Sequence, residues 1–396
     1  MVLLSINSGS SSLKVAVFDE TNLTTPRASL FVENIGTPQA ALIPNGEYGS
    51  DATEHPVINS FDDAAAQVKQ WLSEKLAVKA DDIQAIGYRV VHGGDRYKEA
   101  SLVTPDLLAY LESITALAPN HMPATLTTIH AFRDVYPDAP QVACFDTSFF
   151  HDIPAVAKTL PIPLTLQREH AIRRYGFHGL SYQFLLGNFR ENEGEAAANG
   201  RLIIAHLGSG ASVAAIKNGQ PIDMSMGFTP VSGIMMSTRT GDLEPGVATY
   251  LQTQLGMTVD EVADLMTHKS GLLGVSEKTA DMYTLVQTQH EDENVALALD
   301  LFCYKLTKTF GSYIAAMGGV DSIIFSGGIG ERSAEVRRRV LENFGFLGLS
   351  LDETRNQTNE RRISTDESAV GVHVIQTQED YSIISQALAV INKKEG

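Results

Sequence analysis

The sequence is poor in basic residues, in cysteine and in long apolar runs. Its 396 residues contain 30 Lys and Arg against 47 Asp and Glu, a formal net charge of −17. This charge argues against a nucleic-acid partner, because phosphate backbones require a basic surface, and against binding to anionic membranes. No stretch approaches the roughly 18 apolar residues of a membrane-spanning helix. The apolar run Val2–Leu4 is too short for a signal peptide. We therefore expect a soluble, cytoplasmic protein.

The sequence also lacks signs of disulfides, of a zinc site and of a Walker loop. The only cysteines, Cys144 and Cys303, have apolar or aromatic neighbours, which predicts buried free thiols in a reducing compartment. No paired His and Cys spacing suggests a zinc site. The GxxxxGK[ST] spacing of a Walker loop is absent as well. Any phosphate-binding site must therefore be built differently.

The stretch Leu4–Asp19 is predicted to form a strand, a tight polar turn and a second strand. Apolar residues alternate with small or polar ones on both sides of the turn, which is the period of a half-buried strand. The turn runs from Asn7 to Ser12, with Lys14 just beyond it. Gly9 can adopt a positive φ, and short hydroxyl side chains leave backbone N–H groups open to phosphate oxygens. The alternative is a solvated hairpin turn without a ligand.

A second copy of this pattern indicates a duplicated domain. Residues Leu202–Ile216 again form an apolar stretch, a Gly/Ser-rich turn and an apolar stretch, and a third Gly-rich turn follows Ser322–Phe325. A chain of this length predicts two or three domains of roughly 150 residues each. We place the boundary in the proline-containing zone 146–163. The predicted lobes are residues 1–150 together with a returning C-terminal helix, 381–396, and residues 151–380.

Apolar periodicity, caps and turn residues predict the remaining elements. Further antiparallel strands are expected within residues 21–59. Helices are expected over 62–76 with Asp62 as N-cap, and over 104–118, 122–136, 259–266, 295–317, 333–343 and 378–392. Strands are expected over 83–91, 141–145, 322–325 and 373–376.

Polar residues at the ends of apolar strands are the first candidates for chemistry, because α/β sites form there. Arg89 within an apolar strand must face either a cleft or a buried carboxylate. Asp146 directly follows a strand and is either a turn and helix cap or a Mg²⁺ ligand. For both residues the sequence leaves the two interpretations open.

Four further residues lie in loops or at helix starts. His121 precedes a helix, where capping alone would explain it, and Glu379 is an ordinary first-turn helix acid. His178 is either a backbone-satisfied neutral histidine or a donor to a phosphoryl oxygen. Arg239 lies among small loop residues, where arginines often clamp anions.

Taken together, these stretches resemble the acetate kinase (acetokinase) family, whose superfamily includes sugar kinases, actin and Hsp70-type chaperones. The resemblance covers residues 7 to 331 and Glu379, through the motifs NSGSSSLK, RVVHGG, CFDTSF, RRYGFHG, HLGSGAS, STRTGDLEPG and GGIGE. It implies a duplicated actin-like (ribonuclease H-like) α/β fold with a cleft between the lobes. It also implies a homodimer that transfers the γ-phosphoryl group of ATP to acetate, giving ADP and acetyl phosphate.

The resemblance further implies the roles of individual residues. Asn7 and Glu379 would hold Mg²⁺, with Mn²⁺ as an alternative ion, and Arg89 and Arg239 would flank the reacting carboxylate and phosphoryl group. His178 would stabilise that group with His121 nearby, and Asp146 would orient the substrate or Mg²⁺. An acyl pocket would be formed by Val91, Phe177 and Pro230. The nucleotide would contact Lys14, His206, Leu207, Gly208, Ser209, Gly210, Asp281, Met282, Tyr283, Ile329, Gly330, Glu331, Arg332 and Ser333.

Two departures from the family pattern affect specificity. Asn120 replaces a usual leucine beside His121, and Tyr283 replaces a usual arginine in a nucleotide-contacting segment. Val91 indicates a small acyl pocket, so acetate is the expected substrate and propionate the alternative. The rival functions are a sugar or glycerol kinase on the same fold and a non-catalytic actin- or Hsp70-like nucleotide-binding module.

Overall fold

The computed structural model describes residues 1–46 and 53–395. Its strands in chain order are β1 Val2–Ser8, β2 Leu13–Asp19, β3 Ala28–Glu33, β4 Ala41–Gly46, β5 Ile83–Val90, β6 Ser101–Leu102, β7 Gln141–Phe145, β8 Arg201–Leu207, β9 Ala211–Lys217, β10 Gln220–Met224, β11 Ser322–Ser326 and β12 Gly371–Val374. Its helices are α1 Phe61–Leu76, α2 Pro105–Ser113, α3 Met122–Val135, α4 Ala155–Lys158, α5 Leu164–His170, α6 Gly179–Glu193, α7 Glu195–Ala198, α8 Pro245–Thr253, α9 Val259–His268, α10 Gly271–Ser276, α11 Met282–Thr288, α12 Glu293–Met317, α13 Gly327–Arg332, α14 Ala334–Leu341, α15 Glu353–Gln357 and α16 Glu379–Glu395.

The chain forms two compact units. Unit 1 consists of Met1–Phe149, Gly179–Phe184 and Gln378–Gly396, and unit 2 of Phe150–His178 and Leu185–Thr377. The boundaries of the two lobes that we predicted from the sequence, 1–150 with 381–396 and 151–380, stay a prediction. Within the described residues, every helix is too short or too polar to cross a membrane.

Unit 1 is built on a seven-stranded mixed sheet in the order β4-β3-β2-β1-β5-β7-β6. Strands β1 to β4 pair antiparallel, whereas β1, β5 and β7 run parallel to one another. Alternate residues of β1 face different layers: Leu4 and Ile6 join the core cluster that contains residues of α1 and α3. Leu3 instead joins the cluster that contains Ile383 and Ile384 of α16. Helices thus cover both faces, and the parallel strands end at a common edge.

Unit 2 repeats this arrangement with a five-stranded sheet in the order β10-β9-β8-β11-β12. Its first three strands pair antiparallel and its last three run parallel. The order and directions match those of β3-β2-β1-β5-β7 in unit 1. The duplication expected from the two strand–turn–strand segments is therefore confirmed, as is the α/β fold class.

Most predicted elements are confirmed, with shifts of a few residues at their ends. The N-cap of α1 is Ser60, not Asp62, because the Ser60 hydroxyl accepts the backbone N–H of Asp63 at 3.2 Å. The helix expected over 104–118 ends at Ser113 and continues only as a 3₁₀ turn over Thr115–Leu117. The last strand lies at Gly371–Val374 rather than 373–376. Of the strands expected within 21–59, β3 and β4 are confirmed, and residues 47–52 lie outside the described residues.

The prediction for Gly9 is wrong in its conformation. Gly9 is not among the residues with positive φ. A Cβ there would lie 2.6 Å from the Ser12 hydroxyl oxygen, which ends an exposed side chain that can rotate away. The Gly9 N–H donates to the Ser12 carbonyl at 2.8 Å, which closes the turn between β1 and β2.

Candidate active site

Arg89 of unit 1 is held by a carboxylate at the edge where the parallel strands end. Strands β5 and β7 place Arg89 opposite Cys144, two residues before Asp146. The Arg89 Nε and Nη2 atoms both donate to Asp146 Oδ2, at 3.0 and 2.8 Å. Arg89 Nη1 lies 3.5 Å from Glu379 Oε2 at the start of α16. The buried arginine–carboxylate pair that the sequence left open is therefore present, with a second carboxylate beside it.

Burial and charge act in opposite directions on this cluster. Burial alone would lower the pKa of the Arg89 guanidinium, but the carboxylates of Asp146 and Glu379 outweigh burial and raise it. Burial raises the pKa of Asp146, whose side chain is only 1% exposed, and the positive charge of Arg89 opposes that rise. Asp146 Oδ1 is buried and makes no hydrogen bond among the described residues. Arg89 is thus a fixed cation.

A second ion pair lies at the start of β2 and α16. Lys14 Nζ lies 2.5 Å from Asp380 Oδ2, and Asp380 Oδ1 accepts the Ser5 hydroxyl at 2.8 Å. Asn7 pairs with Lys14 across the β1–β2 hairpin. Asn7, Lys14 and Glu379 are site residues expected from the sequence, whereas Asp380 is not. The one available signal was that Asp380 directly follows a candidate ligand.

The other candidates of unit 1 lie at the ends of β5 and α3. Val91 is half-buried and packs against the core cluster of this unit. His121 occupies the N-cap position of α3, but its side chain makes no capping hydrogen bond, so capping does not account for it. Asn120 beside it is exposed.

In unit 2, His178 and Arg239 both approach the second Gly-rich turn. A Cβ on Gly210 would lie 3.4 Å from His178 Nε2 and 3.6 Å from Arg239 Nη1, which are ordinary contact distances, so both side chains lie against this glycine. His178 adopts a left-handed conformation with φ 60° at the N-cap of α6, and its Nδ1 lies 2.9 Å from the Ser212 hydroxyl. Its ring centroid is 4.6 Å from that of His206. Arg239 Nη1 donates to the Pro230 carbonyl at 2.9 Å.

Arg239 also lines a large cavity of unit 2. The cavity has a volume of about 940 Å³, which is in the range of small-molecule sites. It includes eight of the predicted nucleotide contacts: Gly208, Ser209, Asp281, Met282, Tyr283, Ile329, Arg332 and Ser333. The lining also includes nine residues that the sequence did not predict: Ser237, Thr238, Ala280, Val286, Gln287, Gly328, Ala334, Glu335 and Gln357.

The chain as a whole matches known kinases. The model of the acetokinase family matches residues 2–385. The chain belongs to the acetokinase family. It is 39% identical over 388 residues to the acetate kinase of Rhodopseudomonas palustris, covering 96% of each chain. It is 38% identical over 393 residues to the propionate kinase of Escherichia fergusonii, covering 98% of this chain and 96% of that one. The crystal structure of Porphyromonas gingivalis acetate kinase matches with a TM-score of 0.91 at 34% identity, covering 98% of this chain and 99% of that one.

Membership of the acetokinase family confirms the predicted kind of enzyme, a phosphotransferase. The fold class is confirmed by the same likeness. Relatives named acetate kinase support the predicted activity, and relatives named propionate kinase at similar identity are consistent with the predicted alternative acceptor.

Several predicted nucleotide contacts of this acetokinase-family chain lie outside the cavity or also have a structural partner. Glu331 Oε1 accepts the backbone N–H groups of Gly327 at 2.9 Å and Thr377 at 3.2 Å, so its carboxylate stabilises the turn after β11. Asp281 lines the cavity but is also the N-cap of α11, where it accepts the Thr284 N–H at 2.8 Å. His206, Leu207, Gly210, Gly330 and Glu331 are not part of the cavity lining, and Lys14 belongs to unit 1.

The chemistry of the donors in unit 1 fits a hard cation such as Mg²⁺. Asn7 offers an amide oxygen, Glu379 a carboxylate, and Asp146 a buried oxygen without a hydrogen bond. Magnesium is usually held by one or two carboxylates, water and substrate phosphates, rather than by a full protein cage. No group of three His, Cys, Asp or Glu able to hold a metal occurs in residues 1–46 or 53–395.

Proposed function

We propose that this member of the acetokinase family transfers the γ-phosphoryl group of ATP reversibly to acetate, giving acetyl phosphate and ADP by direct in-line transfer. The observation that carries the proposal is the convergence of His178 and Arg239 on Gly210 beside the cavity of unit 2. Phosphoryl transfer depends on positioning and on positive charge around the transferred group more than on covalent chemistry. A guanidinium and an imidazole against a Gly-rich turn supply both.

The acceptor chemistry agrees with the residues of unit 1. A small carboxylic acid has a pKa near that of Asp or Glu, about 4, so it is already ionised at pH 7 and needs no general base. The enzyme must instead offset the repulsion between an anionic nucleophile and an anionic phosphate. Arg89, fixed as a cation by Asp146 and Glu379, is suited to hold the carboxylate. We propose that Asp146 orients Arg89 and the substrate, while Val91, Phe177 and Pro230 contact the acyl group.

We further propose that Mg²⁺ is the metal, with Mn²⁺ as an alternative ion. Asn7 and Glu379 would hold it, and Asp146 has an oxygen available. When bound, the ion supplies charge neutralisation for the phosphates. The residues of the chain then orient the reactants. Arg239 and His178 would orient the transferred phosphoryl group, and the cavity lining would orient the nucleotide.

The first experiment is the trapping of acyl phosphate with hydroxylamine from ATP, Mg²⁺ and acetate. We expect a strong signal that requires all three components. Propionate in place of acetate measures acceptor preference, and pyrophosphate in place of ATP measures donor preference. Product with pyrophosphate alone would overturn ATP as the donor. Product with neither donor would favour a non-catalytic nucleotide-binding module.

Propionate is the second candidate acceptor, because relatives named propionate kinase are as similar to this chain as those named acetate kinase. We also propose a homodimer and a cytoplasmic location. The two cysteines, Cys144 and Cys303, are buried free thiols, as predicted, which suits a reducing compartment. Light scattering of the purified chain would measure the oligomeric state directly.

A further inference from the structure

A fully buried arginine lies behind the wall of the cavity in unit 2. Arg337 on α14 is 0% exposed and has the largest of the fully buried side chains among the described residues. Arginine is almost never fully buried unless it is paired, because removing its charge from water is costly. A buried arginine therefore requires an explanation in terms of what its charge does.

The partners of Arg337 are all neutral. Its Nε donates to Asn356 Oδ1 at 2.8 Å and its Nη1 to the Gly330 carbonyl at 2.8 Å. Its Nη2 donates to the Asn356 carbonyl at 2.7 Å and to Asn359 Oδ1 at 2.6 Å. The hydrogen bonds are thus well satisfied, but no carboxylate of the described residues neutralises the charge. Burial lowers the pKa of Arg337 to about 10, so the side chain is still a cation at pH 7.

The next two residues in the chain show that this pattern is specific to Arg337. Arg338 is paired with Glu335 at 2.9 Å and with Glu342 at 3.1 Å. Arg339 is paired with Glu335 at 2.6 Å and also with Asp300. The two accessible arginines have carboxylates, which they need least in water, whereas the buried one has none.

The hydrogen bonds of Arg337 connect two segments of the chain that adjoin the cavity lining. Gly330, whose carbonyl it binds, lies between lining residues Ile329 and Arg332. Asn356, which it binds twice, directly precedes the lining residue Gln357. Asn356 also donates to the Ala334 carbonyl at 3.1 Å, and Ala334 lines the cavity too. The guanidinium is therefore bonded to residues that adjoin two segments of the cavity lining, 328–334 and Gln357.

We propose that Arg337 is a positioning residue for the nucleotide: it ties the Gly328–Ala334 wall to Gln357, and its unneutralised charge favours a polyanion in the cavity. This inference rests on the proposed function, in which the cavity holds ATP or ADP. The phosphates of the bound nucleotide supply the negative charge that no carboxylate of the described residues provides for Arg337. If Arg337 only capped the C-terminal ends of α13 and α15, its hydrogen bonds would be enough, and its positive charge would not need to be left without a carboxylate.

The decisive variant adds a carboxylate without disturbing the geometry. Asn359 has a left-handed backbone with φ 54°, which aspartate tolerates, and it contacts Arg337 only through Oδ1. Asn359→Asp should therefore neutralise Arg337 in place. The matched control is Asn218→Asp, which adds the same charge at an exposed residue with the same φ of 54°, outside the cavity lining.

We expect Asn359→Asp to raise the KM for ATP and the Kd for ADP about three- to tenfold, the scale of one added charge at an intermediate dielectric. The melting temperature should be unchanged or higher, and the KM for acetate should be unchanged. Asn218→Asp should leave all three at the wild-type values. Higher stability with unchanged nucleotide affinity, or equal losses in both variants, would overturn the proposal.

A second pair of variants separates charge from shape at Arg337 itself. Arg337→Lys retains the cation and Arg337→Met removes it, while both lose most of the hydrogen bonds. Among folded molecules, titration with ADP should give weaker binding for Arg337→Met than for Arg337→Lys; equal affinities would contradict the charge argument. The wild-type assay for acyl phosphate is independent of all these measurements. ADP binding without acyl phosphate would reject the proposed function and still leave the test of Arg337 valid.

Discussion

The turn between β1 and β2 and the turn between β8 and β9 hold the same place in two sheets of matching strand order, yet their surroundings differ. Near the first turn, the cations Lys14 and Arg89 contact the carboxylates of Asp380, Asp146 and Glu379. Near the second turn, His178 contacts the Ser212 hydroxyl and Arg239 the Pro230 carbonyl. The duplicated backbone therefore provides two equivalent positions, and different side chains give each one its own chemistry.

This difference suggests a division of labour between the units. Carboxylates and an amide oxygen suit a metal ion and a fixed guanidinium, whereas the Gly-rich turn with Arg239 and a cavity suits phosphates. Removal of one residue at a time from each set should then affect different steps of the proposed reaction.

The largest effect is expected from Arg239→Ala in unit 2. An arginine that stabilises the charge of a transferring phosphoryl group contributes on the order of 10³ or more to kcat. The loss of its hydrogen bond to Pro230 should cost only about 1 kcal/mol of stability. Steady-state turnover and a thermal melt measure the two effects separately. Arg361→Ala, at an exposed arginine bonded to Asn188, is the control and should be fully active. Near-normal turnover in Arg239→Ala would remove Arg239 from the mechanism.

The second prediction concerns the acid sensitivity of unit 2. His373 on the outer strand β12 is buried against Phe189, and burial lowers its pKa to about 4 despite the nearby Glu193. The unfolded chain binds a proton below about pH 6.5, but the folded chain does so only near pH 4. Stability should therefore fall as the pH drops from about 6.5 to 4, by at most about 3 kcal/mol.

Replacement of the histidine tests this account. His373→Gln should flatten the dependence of the urea midpoint on pH over that range, while His290→Gln, at an exposed histidine, should not. An unchanged profile in His373→Gln would mean that other groups cause the acid sensitivity.

The contrast between the two turns also explains what could be predicted from the sequence. Strand–turn–strand segments show in local alternation, so β1–β2 and β8–β9 could be found, and with them the duplication. An arginine in an apolar strand needs a carboxylate, so the Arg89 pair was one of the two open interpretations. These are consequences of periodicity and of the cost of a buried charge.

What escaped prediction depends on contacts between distant residues. The partner of Lys14 is Asp380, 366 positions away, and no local pattern encodes that pairing. Glu331 lies in a Gly-rich motif, but its carboxylate accepts two backbone N–H groups instead of lining the cavity. Arg337 resembles its two neighbours in the run of three arginines, and only the packing of α14 reveals which one is buried. The periodicity of the sequence shows which face of a helix or strand is apolar, but it does not show which distant residues pack against that face.

A moderate effect is expected from Val91→Ala in unit 1. If Val91 contacts the acyl group, removal of two methyl groups should shift the ratio of kcat/KM for propionate over acetate upward by roughly three- to tenfold, since one methylene is worth about 1–3 kcal/mol. Val68→Ala on α1 is the matched control, because it makes the same truncation in the core of the same unit. Both variants should lose stability, but only Val91→Ala should change the specificity. Equal ratios in the two variants would exclude Val91 from the acyl pocket.

The smallest effect is expected from Tyr283→Arg, which restores the residue usual in the family. Tyr283 is 74% exposed and lines the cavity with Arg332, so an arginine there would reach the nucleotide through solvent. Screening limits such a contact to less than about 1 kcal/mol, so the KM for ATP should fall by about two- to threefold. Tyr250→Arg, at a tyrosine that is 57% exposed and outside the cavity lining, adds the same charge and should leave the KM unchanged.

Equal effects of the two variants on the KM for ATP would mean that the net charge of the protein, and not the position of the arginine, determines the KM. An unchanged KM in both would mean that this chain binds its donor without a cation at residue 283. The charge for the nucleotide would then have to come from residues such as Arg239 and Arg337.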